Sequence, residues 1–268
     1  MLSACATRPE AASVAPVVAA ERAFAADAAA MGWIPAFRAF TAPDGIVLQP
    51  DPVNAAETFA ALPDDGNRSL QWWPAYAGIA RSGDLGFTTG PYVAGESDQP
   101  RGHYFTVWRR QPDGQWRWIF DGGVPVRDAS PIARDAEPAA LPAATRGRSE
   151  ARALNEIAAI ERGFAARAGR DVADPYRAFL AEDGRVNRAG APPAVGKDAA
   201  LAAVGGGAVQ FERLGGAASS AGDLAFSYGE ARWGDRRGHY CRIWQFRPEG
   251  WRIVFDQIIP RPPEASAG

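Results

Sequence analysis

A seven-residue segment occurs twice in this chain. Gly-His-Tyr-Phe-Thr-Val-Trp at Gly102–Trp108 returns as Gly-His-Tyr-Cys-Arg-Ile-Trp at Gly238–Trp244. Each copy leads into a second matched block, Asp113–Asp121 and Glu249–Asp256, with a shared Trp-Arg and a closing Phe-Asp. The match continues upstream. Glu21-Arg22-Ala23-Phe24 pairs with Glu161-Arg162-Gly163-Phe164, Gln71-Trp72 with Gln210-Phe211, and Gly83-Asp84-Leu85 with Gly222-Asp223-Leu224. The spacing holds at 139 or 140 positions until it shortens near His103, where the first copy carries the longer polar loop. Insertions confined to polar loops mark two copies of one fold.

The chain's 268 residues divide naturally into two domains of ordinary size. The expected layout is a tether over residues 1–17, a first domain over 18–126, a linker over 127–150, a second domain over 151–262 and a tail over 263–268. The linker is rich in Ala, Pro, Arg and Glu and lacks apolar periodicity, so it reads as a coil spanning about 27 Å. Ala15–Met31 and Asn155–Ala168 have helical spacing, and short second helices follow around Pro35–Phe40 and Pro175–Leu180. Third helices are expected at Ala55–Leu62 and Lys197–Val204. Four strands then follow in each half: Ser69–Ala80, Leu85–Val93, His103–Arg110 and Trp116–Val124, then Val209–Leu214, Leu224–Ala231, His239–Arg247 and Trp251–Pro260. Helices first and an antiparallel meander last make each half α+β, with helices packed on a curved antiparallel sheet.

A net charge of −2 and the lack of a Lys/Arg run argue against nucleic acid as a partner. No apolar stretch is long enough to cross a membrane as a helix. Leu2-Ser3-Ala4-Cys5 resembles a bacterial lipoprotein signal box, and the segment after it is small, polar and Pro-containing. That resemblance implies lipidation of Cys5 and a place in the cell envelope, periplasmic and lipid-anchored; a cytoplasmic location is the alternative. Only four residues precede Cys5, fewer than a signal peptide requires, so either the start lies upstream or the match is chance. The other cysteine, Cys241, sits in an expected buried strand and reads as a small hydrophobe.

A run of further residues carries a family resemblance. Trp72-Trp73-Pro74-Ala75-Tyr76-Ala77, Ser82–Tyr92 and Val107–Trp116 together resemble an uncharacterised bacterial branch of the nuclear-transport-factor-2-like superfamily, near its polyketide-cyclase and ketosteroid-isomerase relatives. The resemblance covers most of Ala19–Val126. It implies a cone-shaped fold enclosing an apolar pocket, and domains that pair through their sheets, so the two copies are expected to form an internal pseudo-dimer. The second half keeps Gly222-Asp223-Leu224 and Trp244, but has Phe211-Glu212-Arg213 where the first has Trp72-Trp73-Pro74.

His103 and His239 are the only histidines and occupy matched positions, as do Asp121 and Asp256. An imidazole near a carboxylate can move protons near neutral pH. Whether they meet depends on register. A two-residue turn at Pro248-Glu249 sets Cys241 opposite Asp256 and leaves His239 on its face. A three-residue turn pairs Arg242 with Asp256 and sends His239 to the other face. The favoured reading is structural: a hydrogen bond at the strand start for both histidines, and anchoring of the strand end or pairing with Arg for both aspartates. One His and one Asp per half fall short of a metal site, and no cofactor motif is present.

The candidate ligand-binding residues are aromatic: Trp33, Trp72, Tyr76, Tyr92, Tyr104 and Trp108 in the first half, and Phe211, Tyr228, Tyr240 and Trp244 in the second. Core filling is the default for the matched ones. The favoured reading is a protein that binds a small apolar molecule in one or both cones. The alternatives are a pocket enzyme of isomerase, cyclase or hydrolase type, and a structural or partner-binding module. A pocket below about 300 Å³ and filled by its own side chains excludes the first two.

Overall fold

The computed structural model describes residues 13–95, 99–126 and 132–262; Cys5 and the signal-like box lie outside them. In the first half, α1 (Ala15–Met31) and α2 (Trp33–Phe40) are followed by β1 (Thr41–Leu48), β2 (Pro52–Asn54) and α3 (Ala55–Ala61). The Asn54 side chain caps α3 by accepting the Glu57 amide at 2.9 Å. Then come β3 (Gln71–Trp72), β4 (Tyr76–Ile79), β5 (Leu85–Val93), β6 (Gly102–Arg110), β7 (Trp116–Pro125) and β8 (Ala139–Ala140). The second half repeats the order: α4 (Glu150–Ala168), α5 (Ala173–Phe179), β9 (Leu180–Arg188), β10 (Ala194–Val195), α6 (Lys197–Val204), β11 (Gln210–Ala218), β12 (Leu224–Trp233), β13 (Arg236–Arg247) and β14 (Gly250–Pro260).

Each half has its own sheet, ordered β2-β1-β7-β6-β5-β4-β8 with β3 also on β5, and β10-β9-β14-β13-β12-β11. The expected antiparallel meanders are present, and to each is added a parallel strand, β1 beside β7 and β9 beside β14. The sheets are therefore mixed. The single strand expected over Ser69–Ala80 is two, because Pro74 lacks the N–H a ladder needs and the chain steps off between Trp73 and Ala75. The matched β11 has no proline and runs unbroken to Ala218 with one bulge. The segment expected as free coil is fastened to both halves: Ala139-Ala140 lies parallel to Tyr76-Ala77, the Trp73 indole donates to the Ile132 carbonyl at 3.0 Å and the Gln245 amide to the Pro142 carbonyl at 2.7 Å.

Alternation sorts the side chains into three cores. Phe24, Phe37, Phe59, Trp72, Trp108 and Trp118 fill the space between the first sheet and its helices. Ile157, Phe164, Tyr176, Phe211, Tyr240 and Trp244 do so in the second half. The remaining faces of the two sheets meet in a third core shared by both halves. Phe105 stacks on Phe255 there with ring centres 4.5 Å apart, and Phe120 packs on Phe226 at 5.1 Å. At the rim, the matched Gly-Asp turns exchange contacts: the Arg81 amide donates to Asp223 at 3.0 Å and the Ser220 amide to Asp84 at 2.9 Å.

One irregularity positions the site. Trp108 pairs with Trp118 but Val107 with Phe120, so Ile119 is an extra residue in β7. In the second half Trp244 pairs with Ile253 and Ile243 with Phe255, leaving Val254 extra. Such a bulge resets which face the following residues address. Trp118 belongs to the helix-side core, while Ile119 and Phe120 both belong to the shared core. Asp121 thus returns to the helix side. Without the bulge, strict alternation would turn it away.

Candidate ligand pocket

The first half holds a half-open cavity of about 190 Å³ between its helices and sheet. Phe24 from α1, Phe37 from α2, Leu70, Trp72 from β3, Tyr92 from β5 and Tyr104 from β6 form its walls. Asp121, Gly122 and Gly123 of β7 complete it. Of the sequence-predicted aromatics, Trp72, Tyr92 and Tyr104 therefore line one cavity. Trp108 is fully buried behind it, and Trp33 packs edge-on against Phe37 and Phe59. Tyr76 lies elsewhere, with the Arg185 guanidinium 3.7 Å above its ring in a cavity between the halves.

Behind the wall sits Glu21, a fully buried acid on α1. Its carboxylate accepts from the Trp72 indole at 2.6 Å, from the Trp108 indole at 2.9 Å and from the Thr88 hydroxyl. Burial raises its pKa, and these neutral donors offset only part of the rise. Asp121 accepts from the Thr106 hydroxyl at 2.7 Å. Burial, only partly relieved by Thr106 and reinforced by the negative charge of Glu21, pushes its carboxyl up to about 8. The buried Tyr104 hydroxyl has no hydrogen-bond partner among the described residues. The first cone thus carries two acids, an unpaired hydroxyl and an apolar wall, and among the described residues no cation hydrogen-bonds either acid.

In the second half the same interior is occupied. Arg242, fully buried, enters it from β13. Its Nη1 donates to Glu161 at 2.7 Å and its Nε to Asp256 at 2.8 Å. The Tyr176 hydroxyl also donates to Asp256 at 2.8 Å, and Arg188 reaches the other Asp256 oxygen at 2.7 Å. Burial alone would raise the Asp256 pKa, but Arg188 and Arg242 outweigh it and hold the carboxyl below its usual value. Phe211 and Tyr240 press on the guanidinium, and Trp244 donates to Glu161 at 3.1 Å. Of the predicted ligand contacts, Phe211 and Tyr240 touch the chain's own arginine. The space left in this half lies toward the mouth, a cavity of about 260 Å³ bounded by Arg188, Val209, Trp233 and Ile258. Tyr228 is on the opposite face, packed on Phe120 and Phe226.

The histidines do not reach either acid. His103 lines the cavity between the halves, and burial pushes its pKa down to about 4. His239 lies 3.7 Å from Asp51 of the first half, and burial, partly countered by Asp51 and Glu230, lowers its pKa. The hairpin turn is the two-residue one, since Arg247 pairs with Gly250. Yet Arg242 stands opposite Asp256, the pairing expected of the longer turn, because the bulge at Val254 supplies the extra residue. A His–Asp proton-transfer pair is therefore not formed in either half. Cys241 is buried in the shared core, and among the described residues no cluster could hold a metal ion.

Sequence reasoning missed Glu21, Glu161, Thr106 and Arg242. The signal was present in the repeat: an acid three residues before a matched Phe lies on the same apolar helix face.

The chain is similar to several solved structures. A ketosteroid isomerase-like protein from Erwinia carotovora atroseptica SCRI1043 is 18% identical over 41% of this chain and 97% of its own, with a TM-score of 0.35. An NTF2-like protein of unknown function from Pseudomonas putida KT2440 is 18% identical over 42% of this chain and 89% of its own, with a TM-score of 0.34. An NTF2-like protein with a cystatin-like fold from Novosphingobium aromaticivorans is 22% identical over 42% and 88%, with a TM-score of 0.32. No family model matches the chain, and no curated protein matches it.

Proposed function

We propose that the first half is a receptor for a small molecule and that the second half is its structural counterpart. One observation carries this reading: matched interiors hold a half-open cavity in one copy and an arginine in the other. The cavity combines aromatic walls with two convergent polar groups, Asp121 and Tyr104, as small-molecule sites do. At about 190 Å³ it is smaller than the usual drug-sized site, so the buried part of the ligand is compact. A cavity of about 150 Å³ suffices for benzene. A steroid or polyketide exceeds it. Export through the Cys5 box remains a proposal supported by residues 2–5 alone.

Isothermal calorimetry of the full chain against a panel of single-ring compounds tests the reading. Binding that disappears in Thr106→Arg, which supplies the second half's occupant, supports it. Binding undiminished in that folded variant places the site elsewhere and overturns it.

A second reading, proton transfer on the bound molecule, is favoured by one feature. Burial pushes the Asp121 carboxyl up to about 8, toward the range in which a general acid or base is most effective. Once a ligand is known, loss of solvent-deuterium exchange at its acidic carbon in Asp121→Asn supports this. Unchanged exchange removes it.

A further inference from the structure

Arg242 sits in the second cone as a ligand would. Its guanidinium carbon lies 4.1 Å from the ring centre of Phe164, 4.4 Å from that of Phe211 and 4.1 Å from that of Tyr240. Glu161 and Asp256 hold its nitrogens at 2.7 and 2.8 Å. Arg188 supplies a second cation to Asp256. Two carboxylates thus face two guanidiniums, and the cluster is neutral.

The first cone keeps the receiving half of this arrangement. Glu21, Phe24, Trp72, Tyr104 and Asp121 stand where the second cone has Glu161, Phe164, Phe211, Tyr240 and Asp256. Both cations are missing. Thr106 replaces Arg242, and Gln49 follows Val47 by two positions as Arg188 follows Val186, the residues set beside Asp121 and Asp256. Gly123 stands opposite Tyr104 where Ile258 stands opposite Tyr240, which leaves further space. The vacated volume is the cavity, and Tyr104, 6% exposed with an unpartnered hydroxyl, lines it.

We infer, resting on the pocket reading above, that the ligand of the first cone bears a compact organic cation of the amidinium, guanidinium or ammonium class, seated against Asp121 among Phe24, Trp72 and Tyr104. A desolvated carboxylate needs a charged or hydrogen-bonding partner. Among the described residues Asp121 has a single neutral side-chain donor, so an N–H of the ligand supplies the second. The Tyr104 oxygen accepts another N–H. Aromatic rings attract a cation through their faces, as the three rings around Arg242 do. A bare metal ion fits less well, because among the described residues no cluster of three ligating groups exists.

Three isosteric ring compounds test the charge directly: benzamidine, benzamide and benzoate, titrated calorimetrically into the full chain. Benzamidine is expected to bind at least tenfold more tightly than benzamide, with benzoate not bound. Asp121→Asn, which keeps the side-chain shape, should remove that preference. Thr106→Arg should abolish binding of benzamidine and benzamide. Benzamide binding as tightly as benzamidine, or benzoate binding at all, overturns the cationic assignment and leaves the pocket reading standing. Failure of all three to bind overturns both. A preference for benzamidine that survives in folded Asp121→Asn also overturns the assignment, because the charge is then read elsewhere.

Discussion

Arg242 and Asp256 stand directly opposite each other on adjacent strands, Nε to Oδ2 at 2.8 Å, and the matched pair in the first half is Thr106 and Asp121. The backbone places both pairs alike. The two interiors differ at Thr106 against Arg242, Gln49 against Arg188 and Gly123 against Ile258. Arg242 answers two acids at once, whereas the Thr106 hydroxyl answers one.

Removing Arg242 should therefore cost far more than its packing. Arg242→Met leaves Asp256 with Arg188 and takes from the buried Glu161 the guanidinium that pairs with it. Breaking a buried charge network in this way costs about 3–5 kcal/mol. Urea unfolding measures it. Thr106→Val, which removes one hydroxyl donor, should cost about 1–2 kcal/mol by the same method. Equal costs would mean that Arg242 is not the keystone of its cone.

The two acids of the first cone give stability a definite pH slope. A carboxyl whose folded pKa is raised contributes stability that is present in acid and lost as pH rises through the folded value. For Asp121 that loss runs from about 4 up to about 8, and Glu21 adds a loss of the same sign. The histidines act oppositely. Their pKa values are lowered in the fold, so their contribution is complete above 6.5 and is lost as pH falls, for His103 through about 4. Between pH 6.5 and 8 the acids act without that opposition. Unfolding free energy should fall there in the wild type, by up to about 1.4 kcal/mol per pH unit for a single group. Asp121→Asn should flatten the slope, and an unchanged slope would show that Asp121 is not the titrating group.

His103 should behave as a neutral side chain at physiological pH. Its ring carbon resonance in a proton–carbon correlation spectrum is expected to stay constant above pH 6 and move only toward pH 4. A midpoint near 6.5 would mean the ring is solvated, and the cavity between the halves wetter than its lining suggests.

Phe255 belongs to the second half but its ring rests on Phe105 and Phe87 of the first. Phe255→Ala should cost about 3–5 kcal/mol, as truncation of a buried Phe does. Because the core is shared, the loss should fall on both halves. Wild-type calorimetry should show a single transition, and a wild type with two would show that each half is stable alone.

The duplication, the α+β order and most helix bounds were legible because apolar spacing and turn residues act locally. The break at Pro74 was equally local, and its signal is the missing N–H. The bulges at Ile119 and Val254 were not legible. Nothing in Trp-Ile-Phe-Asp or Ile-Val-Phe-Asp says which of two apolar residues is the extra one, since both face the shared core. That single choice decides whether Asp121 and Asp256 enter the cones and whether His103 and His239 share their face. The Thr-for-Arg difference stood in the opening repeat, but its meaning required Glu161 and Asp256, distant in sequence, to converge on it.

The shared core and the reciprocal Gly-Asp turns give the two copies the contacts of a symmetric pair, Arg81 to Asp223 and Ser220 to Asp84. In a homodimer of identical chains every substitution appears twice, so both interiors are open or both are plugged. Joining the copies in one polypeptide lifts that constraint. One interior can be sealed with a permanent internal counterion and serve the fold, while the other keeps its cavity. The tandem chain holds these two sites in a fixed ratio of one to one, whatever its concentration.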